Sequence, residues 1–319
     1  MARITRTIGP EIGWMAGQSN SLGQQTLPSV SDGTIPRSAI RYWHHDMVGA
    51  NPTATRDLDD VATADWQGGE VEIGVRMVDT SSRGPYAVAK TAVGSSGLVS
   101  GSRYWLGAGQ MASKAIASVR AMIDTLVWED PTQLPVVGSV VWNQWEEDGK
   151  TANDPDADNY AANLALLIQR FRDEFHPQLP VVVTLASTAA TSRPAGNITT
   201  IRAAQAAVAA ADALVTTIET NALALEVDVT HYTADSQQAL GVLSAAALAG
   251  FALPDYTDTS LVTRVSLYGS LASAQDASRF LSVLGEGGGA VMTGPVDTDV
   301  WAVSDPIFGH HFVPTGAWS

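Results

Sequence analysis

Apolar positions along the 319 residues fall into two rhythms. Short Val- and Ala-rich runs alternate with longer Ala/Leu-rich segments whose apolar residues recur at helical spacing. The short runs predict strands over Glu11–Ala16, Tyr86–Val93, Val136–Trp142, Pro180–Leu185 and Ala213–Ile218. The longer segments predict helices over Tyr104–Leu126, Asn159–Phe175, Ile201–Ala211 and Ser236–Ala249, with Asp158 as the N-cap of the second and Pro177 and Pro180 beyond its end. Strands that read as nearly continuous apolar runs between helices belong to a parallel sheet covered on its faces. The fold class expected is α/β, a three-layer α/β/α sandwich with a central, mostly parallel sheet.

Two regions break the alternation. Between Leu22 and Gly84 the chain is rich in Gly, Pro, Asp, Thr and aromatic residues with little periodicity, which predicts long loops over a binding face. After about residue 250 only short β-like pieces remain, Leu261–Tyr268 and Ala290–Thr293, separated by the glycine run Gly285–Gly289. The expected organisation is a main domain over 1–250 and a C-terminal extension or small subdomain over 251–319.

Composition narrows the function classes. Lys plus Arg number 18 against 33 Asp plus Glu, a formal net charge of −15, which disfavours nucleic acid as a partner. Charged residues make up only 16% of the chain, so much of the surface must be neutral and polar. There are no cysteines, which removes disulfides, thiolate metal sites and a cysteine nucleophile together, and suits either redox compartment. No stretch reaches the roughly 18 to 20 apolar residues of a membrane span. The basic Met1–Arg6 is not followed by the apolar run of a signal peptide. Localisation and oligomeric state stay open, and extracellular or virion-associated use fits the sequence.

Three polar blocks sit where strands end. Gly17-Gln18-Ser19-Asn20 follows the first strand, and a serine in a strand-to-helix turn brings its Oγ and its backbone N–H to the carboxyl edge of a parallel sheet. Taken alone, the block reads more readily as a turn and helix cap. Lys90-Thr91-Ala92-Val93-Gly94-Ser95-Ser96-Gly97 closes the second strand, with Gly94 allowing close backbone approach; taken alone, an ordinary βα turn is the favoured reading. Trp142-Asn143-Gln144-Trp145-Glu146-Glu147-Asp148 closes the third and sets an amide and carboxylates at the same edge. A fourth, Asp228-Val229-Thr230-His231, offers a base: a carboxylate three residues before an imidazole can hold Nδ1–H and leave Nε2 free to accept a proton.

These four blocks in this order resemble those of the SGNH hydrolases, and most closely the branch of sialate O-acetylesterases and carbohydrate esterase family 6, with blocks GQSN, KxAxGG, WxQGExD and DxxH. The resemblance spans roughly residues 10 to 250. It implies a flavodoxin-like fold of the SGNH type, a serine esterase without cofactor, and an acetylated carbohydrate or polysaccharide as substrate. It also implies Ser19 as nucleophile, His231 as base, Asp228 as the acid that orients it, and an oxyanion hole of the Ser19 and Gly94 N–H groups and the Gln144 side chain. Glu146 is the alternative triad acid, since some relatives use the third-block Glu. The chain departs from the pattern at Trp145, where the family has Gly and where an indole would either crowd the site or supply a stacking surface for a sugar, and at Ser95 and Ser21, where Gly and Met are usual.

The competing reading is a non-catalytic carbohydrate-binding or structural protein that keeps the fold, with Trp43, Trp66, Trp105 and Trp145 as an aromatic platform. Metal sites are not expected. The pairs His44-His45 and His310-His311 diverge in extended chain, and Asp154-Pro155-Asp156-Ala157-Asp158 lacks the Gly and the final Glu of a calcium loop.

Overall fold

The computed structural model describes residues 7–23, 33, 35–45, 56–58, 67–80, 86–100, 103–107, 111–130, 132–151, 154–252, 254, 256, 265–267, 291–297, 300–305 and 309–313. The chain divides into two units. One comprises Gly9–Leu126 with Pro135–Pro254, and the other Met1–Ile8, Val127–Leu134 and Asp255–Ser319.

The larger unit is organised by a sheet of β1 (Thr7–Gly17), β2 (Arg41–His45), β3 (Arg56–Asp57), β4 (Tyr86–Ala92) and three later strands. After the short parallel pair β5 (Ser96–Gly97) and β6 (Arg103–Tyr104), those are β7 (Gln133–Asn143), β8 (Val181–Thr184) and β9 (Val215–Ile218). The order is β3-β2-β4-β1-β7-β8-β9. β2 with β4, β4 with β1, β7 with β8 and β8 with β9 run parallel, and the two-residue edge strand β3 pairs antiparallel with β2. From β1 the chain first passes to β2 and the edge strand β3 on one side, returns to place β4 between β2 and β1, then crosses to β7 on the other. The space above the carboxyl ends of β1, β4 and β7 is the switch point at which such sheets hold ligands.

Side-chain alternation along the strands divides the core in two. Ile12, Trp14 and Ala16 of β1, Ala87 and Ala89 of β4, and Val181 and Val183 of β8 face one buried cluster. Met15, Val88 and Val182 face the other. The first cluster is covered by α3 (Met111–Glu129), α4 (Pro155–Asp158), α5 (Tyr160–Glu174) and α6 (Ala195–Ala211), and the second by α2 (Glu70–Thr80) and α7 (Ala234–Leu248). A four-residue helix, α1 (Ser19–Leu22), caps the end of β1. The three-layer α/β/α expectation holds, and the five expected strands appear as β1, β4, β7, β8 and β9.

Several boundaries differ for physical reasons. The helix expected from Tyr104 begins at Met111, because Arg103-Tyr104 pairs in β6 and Gly107 stands at φ 62°. Asp158 does not cap α5: Pro155–Asp158 is itself a helical turn, capped by the Asp154 side chain, which accepts the Asp156 N–H. The stretch expected to be loop from Leu22 to Gly84 contains β2 and α2. Val71, Ile73, Val75 and Met77 of α2 are all buried, so no single apolar stripe marks the helix.

In the smaller unit the described backbone is a four-stranded sheet, β10 (Val265–Leu267), β11 (Val291–Asp297), β12 (Val300–Asp305) and β13 (Gly309–Val313), ordered β10-β13-β12-β11. β10 and β13 are parallel and the other pairs antiparallel, and the ladder of edge strand β11 is irregular around Pro295. The expected glycine run Gly285–Gly289 and most of Leu261–Tyr268 lie outside the described residues. Among the described residues no helix is long and apolar enough to cross a membrane.

Candidate active site

The site is assembled where three strands end. Gly17 ends β1 at φ 147°, and a Cβ there would run into the Asn143 carbonyl at the end of β7, so only glycine lets the two strands finish so close together. Gln18 N–H then bonds to Asn143 O at 3.1 Å, and Ser19 opens α1. The Ser21 hydroxyl lies 2.8 Å from Asn143 O and 3.1 Å from Ala16 O, tying α1 to both strands. Register brings β4 to the same edge: Gly17 is level with Ala92, and Val93 N–H bonds to Gly17 O at 3.1 Å. Gly94 follows at this edge, one residue beyond the bond to Gly17. Neither the Ser19 nor the Gly94 N–H donates to a group among the described residues.

His231 comes to Ser19 from 212 positions along the chain, with Nε2 2.9 Å from Ser19 Oγ. Its Nδ1 bonds to Asp228 Oδ2, while Asp228 Oδ1 accepts the N–H groups of Thr230 at 2.9 Å and His231 at 3.0 Å. Partial desolvation pushes the Asp228 carboxyl up, but hydrogen bonds from the His231 N–H, its ring and the Thr230 N–H outweigh it and hold the group below the usual carboxylate range. An ionised carboxylate only accepts, so Nδ1 carries the proton and Nε2 is left as acceptor for the serine hydroxyl. The turn that makes this possible is strained, since Val229, a β-branched residue, sits at φ 48°.

Glu146, the alternative acid, lies elsewhere in the network. It is fully buried, and its Oε1 accepts from Asn20 Nδ2 and its Oε2 from the Trp145 N–H at 3.0 Å. Burial raises its carboxyl, against the opposing pull of the Asn20 and backbone hydrogen bonds. Asp148 is also buried and is pushed up to about 7, chiefly by desolvation. It accepts from Gln144 Nε2 and from the Leu98 N–H at 2.9 Å.

Gln144 is enclosed, with Nε2 donating to Ser96 O at 2.9 Å as well as to Asp148, and Oε1 3.3 Å from Tyr160 Oη. Its two amide hydrogens thus face three acceptors: Ser96 O in the loop that follows Gly94, the Asp148 carboxylate and, at 3.3 Å, Gln18 Oε1. Trp145 requires a correction: it is 1% exposed, in the same core cluster as Trp142 and Ile201, and offers no face to a sugar. Trp43 and Trp105 are buried too, their indole N–H groups on Ser118 Oγ and Ser96 Oγ, so the expected aromatic platform does not exist; Trp66 lies outside the described residues. His44 and His45 lie in β2, and among the described residues no group of three or more His, Asp or Glu is placed to hold a metal ion.

Asn20, Tyr160 and Arg193 are the site's unforeseen members. Arg193 Nε donates to Glu146 O at 2.6 Å, and Ser192 Oγ, 2.6 Å from Thr230 Oγ1, fastens the histidine turn. Asn20 was visible in its block, but nothing local announces partners more than a hundred residues away.

A family model for carbohydrate esterases, the sialic acid-specific acetylesterases, matches residues 11–249. The chain belongs to this family. It is accordingly a carboxylic ester hydrolase of the carbohydrate-esterase class, as the four blocks implied. No curated protein matches it. Among solved structures, an Arabidopsis thaliana protein is 18% identical over 75% of this chain and 98% of its own, with a TM-score of 0.54. NanS is 12% identical over 75% and 96%, with a TM-score of 0.55. A carbohydrate acetylesterase from Xanthomonas citri is 15% identical, covering 94% of this chain and 63% of its own, with a TM-score of 0.53. At these identities they show that the esterase shares their fold.

Proposed function

We propose that this family member removes O-acetyl groups from a carbohydrate through a Ser19-His231-Asp228 triad and an acyl-enzyme. The observation that carries the reading is the relay from Asp228 Oδ2 through the His231 ring to Ser19 Oγ, 2.9 Å from Nε2. Ser19 Oγ attacks the acetyl carbonyl carbon as His231 Nε2 takes its proton. The tetrahedral oxyanion is held by the Ser19 and Gly94 N–H groups. Collapse breaks the bond to the sugar oxygen, which leaves with the proton from Nε2. Water, deprotonated by the same nitrogen, then attacks the acetyl-serine and releases acetate. Asp228 supports the imidazolium formed in each half.

Gln144 enters this scheme through its loop. Its hydrogen bond to Ser96 O stiffens the segment that carries Gly94, and it reaches the oxyanion only by giving up that partner or Asp148. Glu146 lacks a hydrogen bond to His231, which is why Asp228 is preferred as the acid.

The test is acetate release from O-acetylated sugars, and hydrolysis of p-nitrophenyl acetate, by wild type, Ser19→Ala, Asp228→Asn and Glu146→Gln. Ser19→Ala is expected to lose on the order of 10⁵-fold in kcat, and Asp228→Asn about 10⁴-fold. Equal hydrolysis by wild type and Ser19→Ala overturns the reading.

A further inference from the structure

Resting on the serine-esterase reading, we propose that Asn20 is a positioning residue for the reaction, held in one orientation by Glu146, and that it sets the alignment of His231 with Ser19. The nucleophile and its base lie on separate elements, so a shift between α1 and the 226–232 segment opens the Ser19–His231 hydrogen bond without disturbing either part internally. Asn20, the residue after the nucleophile, grips that segment on both sides of the base. Its Nδ2 donates to Thr230 O at 3.1 Å, and its Oδ1 accepts the Tyr232 N–H at 3.0 Å. The peptide groups immediately before and after His231 are thus fixed to the residue next to Ser19.

Apart from the Ser19–His231 bond, every hydrogen bond between α1 and residues 224–237 among the described residues runs through this one amide, including a long one of 3.5 Å from Gln237 Nε2. The Asp228 bonds are internal to the turn and keep its shape whatever its distance from Ser19.

Glu146 explains why the amide points one way. With a carboxylate oxygen at Nδ2 and an N–H at Oδ1, a flipped amide would set oxygen against oxygen and donor against donor. Asn20 is 1% exposed and Glu146 fully buried, so water cannot replace either bond. The carboxylate is itself fixed by the Trp145 N–H, and its loop by Arg193 on Glu146 O. In this arrangement the third-block Glu acts through Asn20.

Displacement of a reacting group by about 1 Å costs on the order of 10²-fold in rate. Asn20→Ala is therefore expected to lower kcat for p-nitrophenyl acetate about 100-fold, leave KM nearly unchanged, and slow inactivation of Ser19 by an organophosphate by a similar factor. Glu146→Ala should behave alike. Glu146→Gln, whose Oε1 still accepts from Asn20 while its Nε2 loses the Trp145 N–H, should recover part of the lost rate. Thermal melts and circular dichroism accompany each variant; if Asn20→Ala melts below the assay temperature, the Glu146→Ala and Glu146→Gln pair decides. Folded Asn20→Ala with wild-type kcat, or Glu146→Gln as inactive as Glu146→Ala, overturns the proposal. Ser19→Ala and His231→Ala run beside them: if Ser19→Ala is active, the esterase reading itself has failed, whereas inactive Ser19→Ala and His231→Ala with fully active Asn20→Ala sinks only the positioning role.

Discussion

Ser95 stands at φ 54° in the turn after β4, where the family pattern has glycine. A side chain in the left-handed region costs about 1–2 kcal/mol, partly offset because glycine loses more entropy on folding. Ser95→Gly is expected to raise the unfolding free energy by about 1 kcal/mol, measured by urea denaturation; an unchanged or lower midpoint would count against the strain. Sequence showed that Ser95 departs from the pattern but not its backbone angle. The same holds for Trp145. An indole in a polar block at a sheet edge reads as exposed, yet the turn of residues 144–149 folds it inward to the core. Ser19, Asp228 and His231 were legible as candidates because their blocks occur in a recognisable order along the chain. Asn20 was not legible as a clamp, because its partners are set by packing across the molecule.

At the scale of elements, Lys90 joins three of them. It projects from β4, fully buried, and Nζ donates to Glu70 Oε1 of α2 at 2.6 Å and to Leu22 O at the end of α1 at 2.9 Å. Its ammonium also lies 5.9 Å from the centre of the Tyr42 ring of β2. Removing one partner of a buried pair strands the other charge, so Lys90→Met is expected to destabilise by about 3–5 kcal/mol. Lys90→Met with Glu70→Leu should recover much of that, by the same denaturant measurement. A double variant no more stable than Lys90→Met would mean that the bond to Leu22 O carries the effect. Five of the seven strands of the central sheet were readable because those buried on both faces are continuous Val/Ala runs, whereas β2 and β3 lie in the stretch expected to be loop. α2 was not, since it is enclosed between the sheet and α7: Gly69 and Gly241 bring the two helices so close that a Cβ on Gly241 would strike the Gly69 carbonyl. The buried residues of α2, Val71, Ile73, Val75 and Met77, also fall at every second position, a strand-like rather than a helical spacing.

For the whole molecule, pH acts through Asp148. Its carboxyl is raised from 3.8 to about 7 in the folded protein. Between those values the folded state keeps a proton that the unfolded state has lost, so its contribution to stability is fully present below about 4 and is lost as pH rises through about 7. The difference is on the order of 4 kcal/mol. Measured against Asp148→Asn, wild type should lose stability across that window, and parallel pH profiles of the two would refute the assignment. The sequence by itself determined the α/β class, five of the seven strands of the central sheet, the four blocks and their family, because periodicity and short motifs are local properties of the chain. Tertiary structure alone decided that Asp228 and not Glu146 bonds to His231, that Gln144 and Trp145 turn inward, and that Asn20 ties the helix of Ser19 to the segment that carries His231. Those outcomes depend on distances between residues far apart in the chain, which are fixed only when the strands close into register and exclude water from the ground between them.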